Sequence, residues 1–295
     1  MTRVSRRPST GRPPRGRAPL SRWDAAAQSL FTALLLAFCL APFLWLLETS
    51  FKTPDDLYSI PPKLLPIPLN AQNYVTIWQG RPFLQNIANS AEVASAATAI
   101  SLLIGALCAY ALARLRFPGR NTILATVLAV SMFPGIAIVS PLFLFFSRVG
   151  LINSKTALVL PYVTFTLPLC VWLLTAFFRE LPPDLEEAAM VDGATPLGAL
   201  RRVIVPLAAP GVFTAAILIF IFAWNEFLFA RTFMNSAESY TVPPAISMFE
   251  GTGTFVIPWG QITAASAVVT VPLIALVLVF QRRIISGLTA GAIKG

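Results

Sequence analysis

The chain has 295 residues, of which 56% are hydrophobic and 12% charged, with 22 lysines and arginines against 13 acids. That is about half the charge of an ordinary soluble domain, which excludes a water-soluble globule and predicts an integral membrane protein. The sequence contains no histidine, so His-dependent catalytic triads, most transition-metal sites and histidine proton relays are excluded too.

Residues 1–24 carry seven arginines among prolines and serines and are expected to be a disordered basic tail. Beside a spanning segment such a tail reads as a topology signal touching anionic membrane lipid, and no nucleic-acid partner is expected. A spanning helix needs roughly 20 apolar residues. Windows free of charge reach that length at 25–47, 93–113, 121–147, 156–178, 203–225 and 251–281. They set six spans, at about 25–47, 87–113, 121–147, 156–178, 210–232 and 261–283, within one membrane domain over residues 25–295. The first reads as a retained helix, since no small-residue cleavage site follows it. Residues 64–80, broken by Pro66, Pro68, Asn70, Gln72 and Asn73, read as loop. In this all-α, six-helix arrangement 16 of the 22 basic residues fall on the side of the termini, which the positive-inside rule makes cytoplasmic.

Within the second span Ala97, Ser101, Gly105, Ala109 and Ala113 place a small residue at every fourth position, a seam for close helix packing. Pro42, Pro134, Pro141, Pro161, Pro168 and Pro272 fall in or at the ends of spans, where kinks are expected. Cys39, Cys108 and Cys170 all lie inside spans and read as small packing residues, with neither disulfides nor a metal site expected. Thr164, Thr166, Thr175, Asn225 and Thr263 offer neutral polar groups suited to an uncharged polar solute. Glu226, late in the fifth span, is the notable intramembrane charge. It reads as an anchor, hydrated or paired with Arg231, or else as a cavity or gate residue beside Asn225. Glu92, at the edge of the second span, reads as an ordinary rim charge.

Between the fourth and fifth spans lies a polar insert, EEAAMVDGATPLGALRRVIVPLAAP, residues 186–210. Asp184 is placed to cap a helix whose first turn holds Glu186 and Glu187. Gly193, after Asp192, suits a left-handed helix end, and Thr195-Pro196 suits a restart. Pro206 and Pro210 are expected to end the second helix. Ala188, Ala189, Gly193 and Ala194 form a shallow face beside Glu187, and Leu197, Leu200 and Ile204 an apolar stripe. Such a knob fits docking into another protein's cleft, or an amphipathic hairpin lying on the membrane.

The spacing Glu187-Ala188-Ala189, Gly193, Val203, Val205, Pro206 resembles the EAA loop of permease subunits in binding-protein-dependent ATP-binding-cassette (ABC) importers, with valines where isoleucine and leucine are usual. The runs FAWNEFLFA (222–230) and GLTAGAIKG (287–295) resemble the carbohydrate-uptake branch of that family and its smaller maltose-type permeases. The resemblance implies a type I importer permease fold. It implies a paralogous second permease, two partner ATPase subunits, an external solute-binding protein and a carbohydrate substrate. ATP and magnesium would be bound by the ATPases, and this chain, which has no P-loop, would bind no cofactor and would not be an enzyme. By the same resemblance the loop at 180–209, through Glu187, Ala188, Ala189, Asp192, Gly193 and Pro206, would seat in a cleft of the ATPase. A tail with Gly287, Gly291 and Lys294, expected to be extended, would reach the ATPase dimer. The outer loop 232–260, long, aromatic and nearly uncharged, is expected either to meet the binding protein around Phe249 or to pack on its own bundle. A permease for another solute, or a secondary transporter of neutral solutes, remains as the alternative.

Overall fold

The computed structural model describes residues 22–249 and 257–290. The chain divides into two compact units at Trp45 and Leu46. Among the described residues, the first unit is the body of α1 (Arg22–Ser50), which contains Pro42. The second unit runs from the end of α1 through twelve further helices. Two are short, α2 (Pro54–Leu57) and α3 (Gln72–Thr76). They are followed by α4 (Phe83–Arg114), α5 (Arg120–Ser131), α6 (Gly135–Arg148) and α7 (Lys155–Glu180). Then come α8 (Asp184–Val191), α9 (Pro196–Leu207) and α10 (Ala209–Trp224). The last are α11 (Leu228–Phe233), α12 (Val242–Ser247) and α13 (Trp259–Ala290). Among the described residues, four helices are long and apolar enough to cross a membrane, or up to six if each bent pair counts as one span.

The core is the pairing of α4 with α7, the most extensive helix interface. Small residues make it possible. Ala97, Ser101, Gly105 and Ala109 are all buried along one face of α4, and a Cβ on Gly105 would lie 2.5 Å from Cys170 Sγ. Ser101 and Thr166 share a hydrogen bond of 2.8 Å across the seam, and the Cys170 thiol donates to the Ser101 carbonyl at 3.3 Å. The expected seam is therefore where the helices meet. Thr166 is buried in this packing, and Thr175 is buried further along α7. Of the cysteines only Cys170 packs, while Cys39 and Cys108 are exposed. Against α7, Gly211 of α10 plays the part of Gly105: a Cβ there would fall 2.2 Å from the Phe177 ring.

Several expected elements differ. Residues 121–147 do not form one straight span: α5 and α6 meet at 83° across Met132–Pro134. Pro134 has no N–H to extend α5, and it takes an extended conformation before Gly135. The fifth span, placed at 210–232, stops at Trp224, and residues 225–227 separate it from α11. Pro206 does not end the second loop helix, which continues to Leu207 and turns by 82° at Ala208 into α10. Because Pro206 cannot donate a backbone hydrogen bond, the preceding turn widens to a π-helix over Leu200–Ile204, with Val205 N–H bonded to the Leu200 carbonyl. Helix α13 continues to Ala290, so residues 287–290 are helical rather than extended.

At the end of the bundle opposite α8, the described part of the 232–260 loop takes the second of its two expected courses and folds onto its own helices. Phe249 is only 8% exposed, packs edge-on against Phe83 at 5.7 Å and lies under the Arg81 guanidinium at 4.2 Å. Asn86 and Asn89 donate to the carbonyls of Ala237, Glu238 and Tyr240 at 2.7–3.0 Å, and Ser90 Oγ accepts from Val242 N–H at 2.8 Å. A long apolar segment lowers its exposed surface by packing on the nearest apolar helix end, and Phe249 is packed in this way.

Candidate functional site

The polar insert is a two-helix elbow, rigid because both sides of its turn are capped. α7 ends where Leu181 turns extended before Pro182 and Pro183. α8 then starts with Pro183 preceding it, so Asp184 sits in the first turn and makes no capping hydrogen bond, contrary to expectation. The other end follows the sequence reading. Gly193 has φ +87°, its N–H bonds the Met190 carbonyl at 3.0 Å, and Ala194 N–H bonds the Ala189 carbonyl at 2.9 Å. This pair of bonds satisfies the last carbonyls of α8 around one left-handed residue. Thr195 Oγ1 accepts from Gly198 N–H at 3.1 Å with Pro196 at the first position of α9, as expected for a restart.

Adjacent acids on α8 go to different faces. Glu187 is exposed, with Ala188 and Gly193 exposed and Ala189 and Ala194 half-buried beside it, so this small-residue face is open. Asp192 is exposed too, as the C-cap of α8, and Pro206 is exposed on α9. Glu186 is 6% exposed. Its Oε2 lies 3.2 Å from Arg114 Nε, an ion-pair contact rather than an aligned hydrogen bond, and Tyr110 OH donates to its Oε1. Arg114 also donates to the Leu181 carbonyl at 3.0 Å, and Arg179 to the Leu112 carbonyl at 3.3 Å. Removing one member of a buried ion pair typically costs about 3–5 kcal/mol, because the other charge is left without a partner. The elbow is thus fastened to the end of α4 by a clamp that sequence reasoning missed. Both acids satisfy the helix dipole equally well in sequence. The available signal was Tyr110 and Arg114, four residues apart and hence on one helical face, at the rim of a span.

The expected apolar stripe divides. Leu200 and Ile204 point inward and are buried against Tyr110, Leu174 and Phe178. Leu197 stays 62% exposed and Val191 87% exposed, so the outward apolar surface lies at the tip of the elbow. The site offers a carboxylate, a shallow small-residue face and two exposed apolar side chains on a rigid support.

Glu226 is not in a helix but in the break between α10 and α11. Its Oε1 accepts from Phe229 N–H at 2.9 Å, and its Oε2 accepts from Ala230 N–H at 3.2 Å and from Tyr162 OH at 2.6 Å. These three donors, and not Arg231, are its hydrogen-bond partners, and Arg231 instead lies over the Tyr240 ring at 5.9 Å. The geometry is that of an anchor which starts α11 by satisfying its first N–H groups. Asn225 is exposed and bonds back to the Ile221 carbonyl at 2.8 Å. Glu92 pairs with Lys155 at the exposed rim. Gly287 lies in α13, and Gly291 and Lys294 lie outside the described residues.

Residues 101–289 match the family described as the binding-protein-dependent transport system inner membrane component. The trehalose transport system permease protein SugB of Mycobacterium tuberculosis is 45% identical over 267 residues, which cover 90% of this chain and 97% of that protein. The trehalose/maltose transport system permease protein MalG of Thermococcus litoralis is 43% identical over 266 residues, covering 89% and 95%. Among solved structures, a bacterial ABC transporter involved in the import of the acidic polysaccharide alginate has the same fold, with a TM-score of 0.71 at 22% identity over 89% of this chain and 98% of that one. The elbow with its Glu-Ala-Ala face falls inside the matched region, and the chain belongs to the inner membrane components of binding-protein-dependent transport systems: it is a multi-pass permease subunit of an ABC importer.

Proposed function

We propose that this chain forms half of the translocation pathway for a carbohydrate, a sugar or short oligosaccharide. It would be completed by a paralogous permease, supplied by an external binding protein and driven by two ATPase subunits. The observation that carries this reading is the elbow. Glu187, Ala188 and Ala189 stand on an open, capped and clamped α8, in a chain whose relatives are trehalose and maltose permeases. In this reading the elbow and both termini face the cytoplasm, in line with the arginine distribution. Glu187 pairs with a cation in the ATPase cleft, Ala188, Ala189, Asp192 and Gly193 set the fit, and Pro206 shapes the π turn that aims α9. The tail at Gly287, Gly291 and Lys294 would add to the ATPase contact.

The test is uptake and assembly together. The chain is co-expressed with the second permease, ATPase and binding protein of its gene neighbourhood, and labelled trehalose and maltose are offered as probes. Binding-protein-dependent uptake of either sugar supports the carbohydrate reading, and uptake of neither overturns it. Glu187→Gln, which keeps shape and removes charge, should leave membrane insertion intact while ATPase co-purification and uptake both fall. Wild-type co-purification and uptake in that variant would remove Glu187 from the docking contact.

A further inference from the structure

We propose that α4 is the strut that carries movement of the elbow to the opposite end of the molecule, with Glu186, Arg114 and Tyr110 as positioning residues at one end and Asn86, Asn89 and Ser90 at the other. The proposal rests on the transporter reading above and adds the route by which its two ends communicate.

Continuity is the first ground. Among the spans of the described residues, α4 alone is both unbroken and free of proline. α1 contains Pro42, α7 contains Pro161 and Pro168, and α13 contains Pro272. The α5–α6 and α9–α10 pairs are bent by 83° and 82°. At 32 residues α4 is about 48 Å long, at 1.5 Å rise per residue. A helix with every interior hydrogen bond made and no kink transmits displacement, whereas a proline-bearing one absorbs part of it.

The second ground is that each end of this rod grips a segment far away in sequence through buried polar side chains. At one end the Arg114–Glu186 ion pair is almost fully removed from solvent, Tyr110 holds the second carboxylate oxygen, and Arg114 reaches on to the Leu181 carbonyl where α8 is hinged to α7. At the other end Asn86, Asn89 and Ser90, all at most 3% exposed, make five hydrogen bonds to the backbone of residues 237–242. That stretch precedes α12, and its Glu238 side is exposed beside a cleft of about 220 Å³ lined by Gln85, Asn153 and Lys155. A force on α8 thus reaches residues 237–242 through buried polar contacts and one stiff helix, a contiguous physical path of the kind that carries coupling between distant sites.

The experiment uses the full transporter in proteoliposomes and reads the stimulation of ATP hydrolysis by the sugar-loaded binding protein, alongside assembly and basal hydrolysis. Read per assembled complex, so that any loss of yield from the weakened clamp is set aside, Glu186→Gln, and separately Asn86→Ala with Asn89→Ala, should keep the basal hydrolysis of each ATPase. Stimulation should fall by roughly 5-fold or more, the low end of couplings between distant sites. A merely structural role would lower the amount of complex and leave the stimulation ratio unchanged, and that result would overturn the proposal. In a background with Cys39, Cys108 and Cys170 replaced by serine, a short thiol crosslinker between Arg114→Cys and Glu186→Cys should restore stimulation, because the strut requires the two elements to move as one body. Loss of stimulation on crosslinking, reversed by cleaving the linker, would show that α8 must separate from α4 in the cycle and would overturn it equally. If the unmodified complex shows no stimulation, the transporter reading itself fails and the strut with it.

Discussion

Glu186 and Glu187 differ by one residue, which on an α-helix is a rotation of about 100°. That step decides that one carboxylate becomes structural cement and its neighbour stays open to a partner. The motif spacing identified Glu187 as the residue to watch, because its meaning lies in what surrounds it in sequence. Glu186 depends on Arg114, contributed by a different helix, and no local pattern encodes that pairing. Gly193 was legible for the opposite reason, since its requirement is purely local. A Cβ at Gly193 would meet nothing within 4 Å, so what demands glycine is the backbone φ of +87° alone. The left-handed conformation costs an ordinary L-residue about 1–2 kcal/mol, and a β-branched residue tolerates it least. Gly193→Val should therefore insert normally yet lose uptake by misaiming α9, while Gly193→Asn, whose side chain tolerates that region, should retain most of it. Equal loss in both variants would mean that the open surface, not the turn, requires glycine there.

At the scale of elements, hydropathy reports where apolar segments lie and is blind to whether they run straight. Residues 121–147 read as one span because composition is uniform through Met132–Pro134, yet the missing N–H of Pro134 opens an 83° corner. The break at residues 225–227 is hidden in the same way. Glu226 looked like a charge late in a helix, and only the folded chain reveals that it serves as the start of α11. Packing seams were easier to read, since a stripe of small residues has few other uses in an apolar helix. The α4–α7 contact gives a quantitative expectation. A methyl at Gly105 would sit 2.5 Å from Cys170 Sγ and 3.2 Å from its Cβ. Overpacking of this kind usually costs about 1–3 kcal/mol. Gly105→Ala should lower the thermal melting point of the detergent-purified protein, and Cys170→Ala, which removes the clashing sulfur, should restore much of it in the double variant. Additive losses in the double variant would place the strain elsewhere.

For the whole molecule, class and family were legible because they depend on sums: total charge, the number of apolar windows, and a long signature on one loop. The packing of residues 232–249 was not, since a segment rich in apolar side chains has the same composition whether it meets a partner or covers its own helix ends, and Phe249 takes the second course. Orientation is likewise a sum, and it carries the last prediction. By the six-span reading of the sequence, 16 of the 22 basic residues are expected on the side that also bears the elbow, and basic residues flanking spans are retained on the cytoplasmic side. Two exposed positions on opposite sides of that assignment are Leu69, 72% exposed between α1 and α4, and Leu197, 62% exposed at the tip of the elbow. In a background free of Cys39, Cys108 and Cys170 and expressed without ATPase, Leu69→Cys should react with a membrane-impermeant maleimide added to spheroplasts. Leu197→Cys should react only once the membrane is permeabilised. The reverse pattern would turn the elbow away from any cytoplasmic ATPase and contradict the docking role of Glu187, whereas labelling of both in sealed cells would show that the six-span path is miscounted between them.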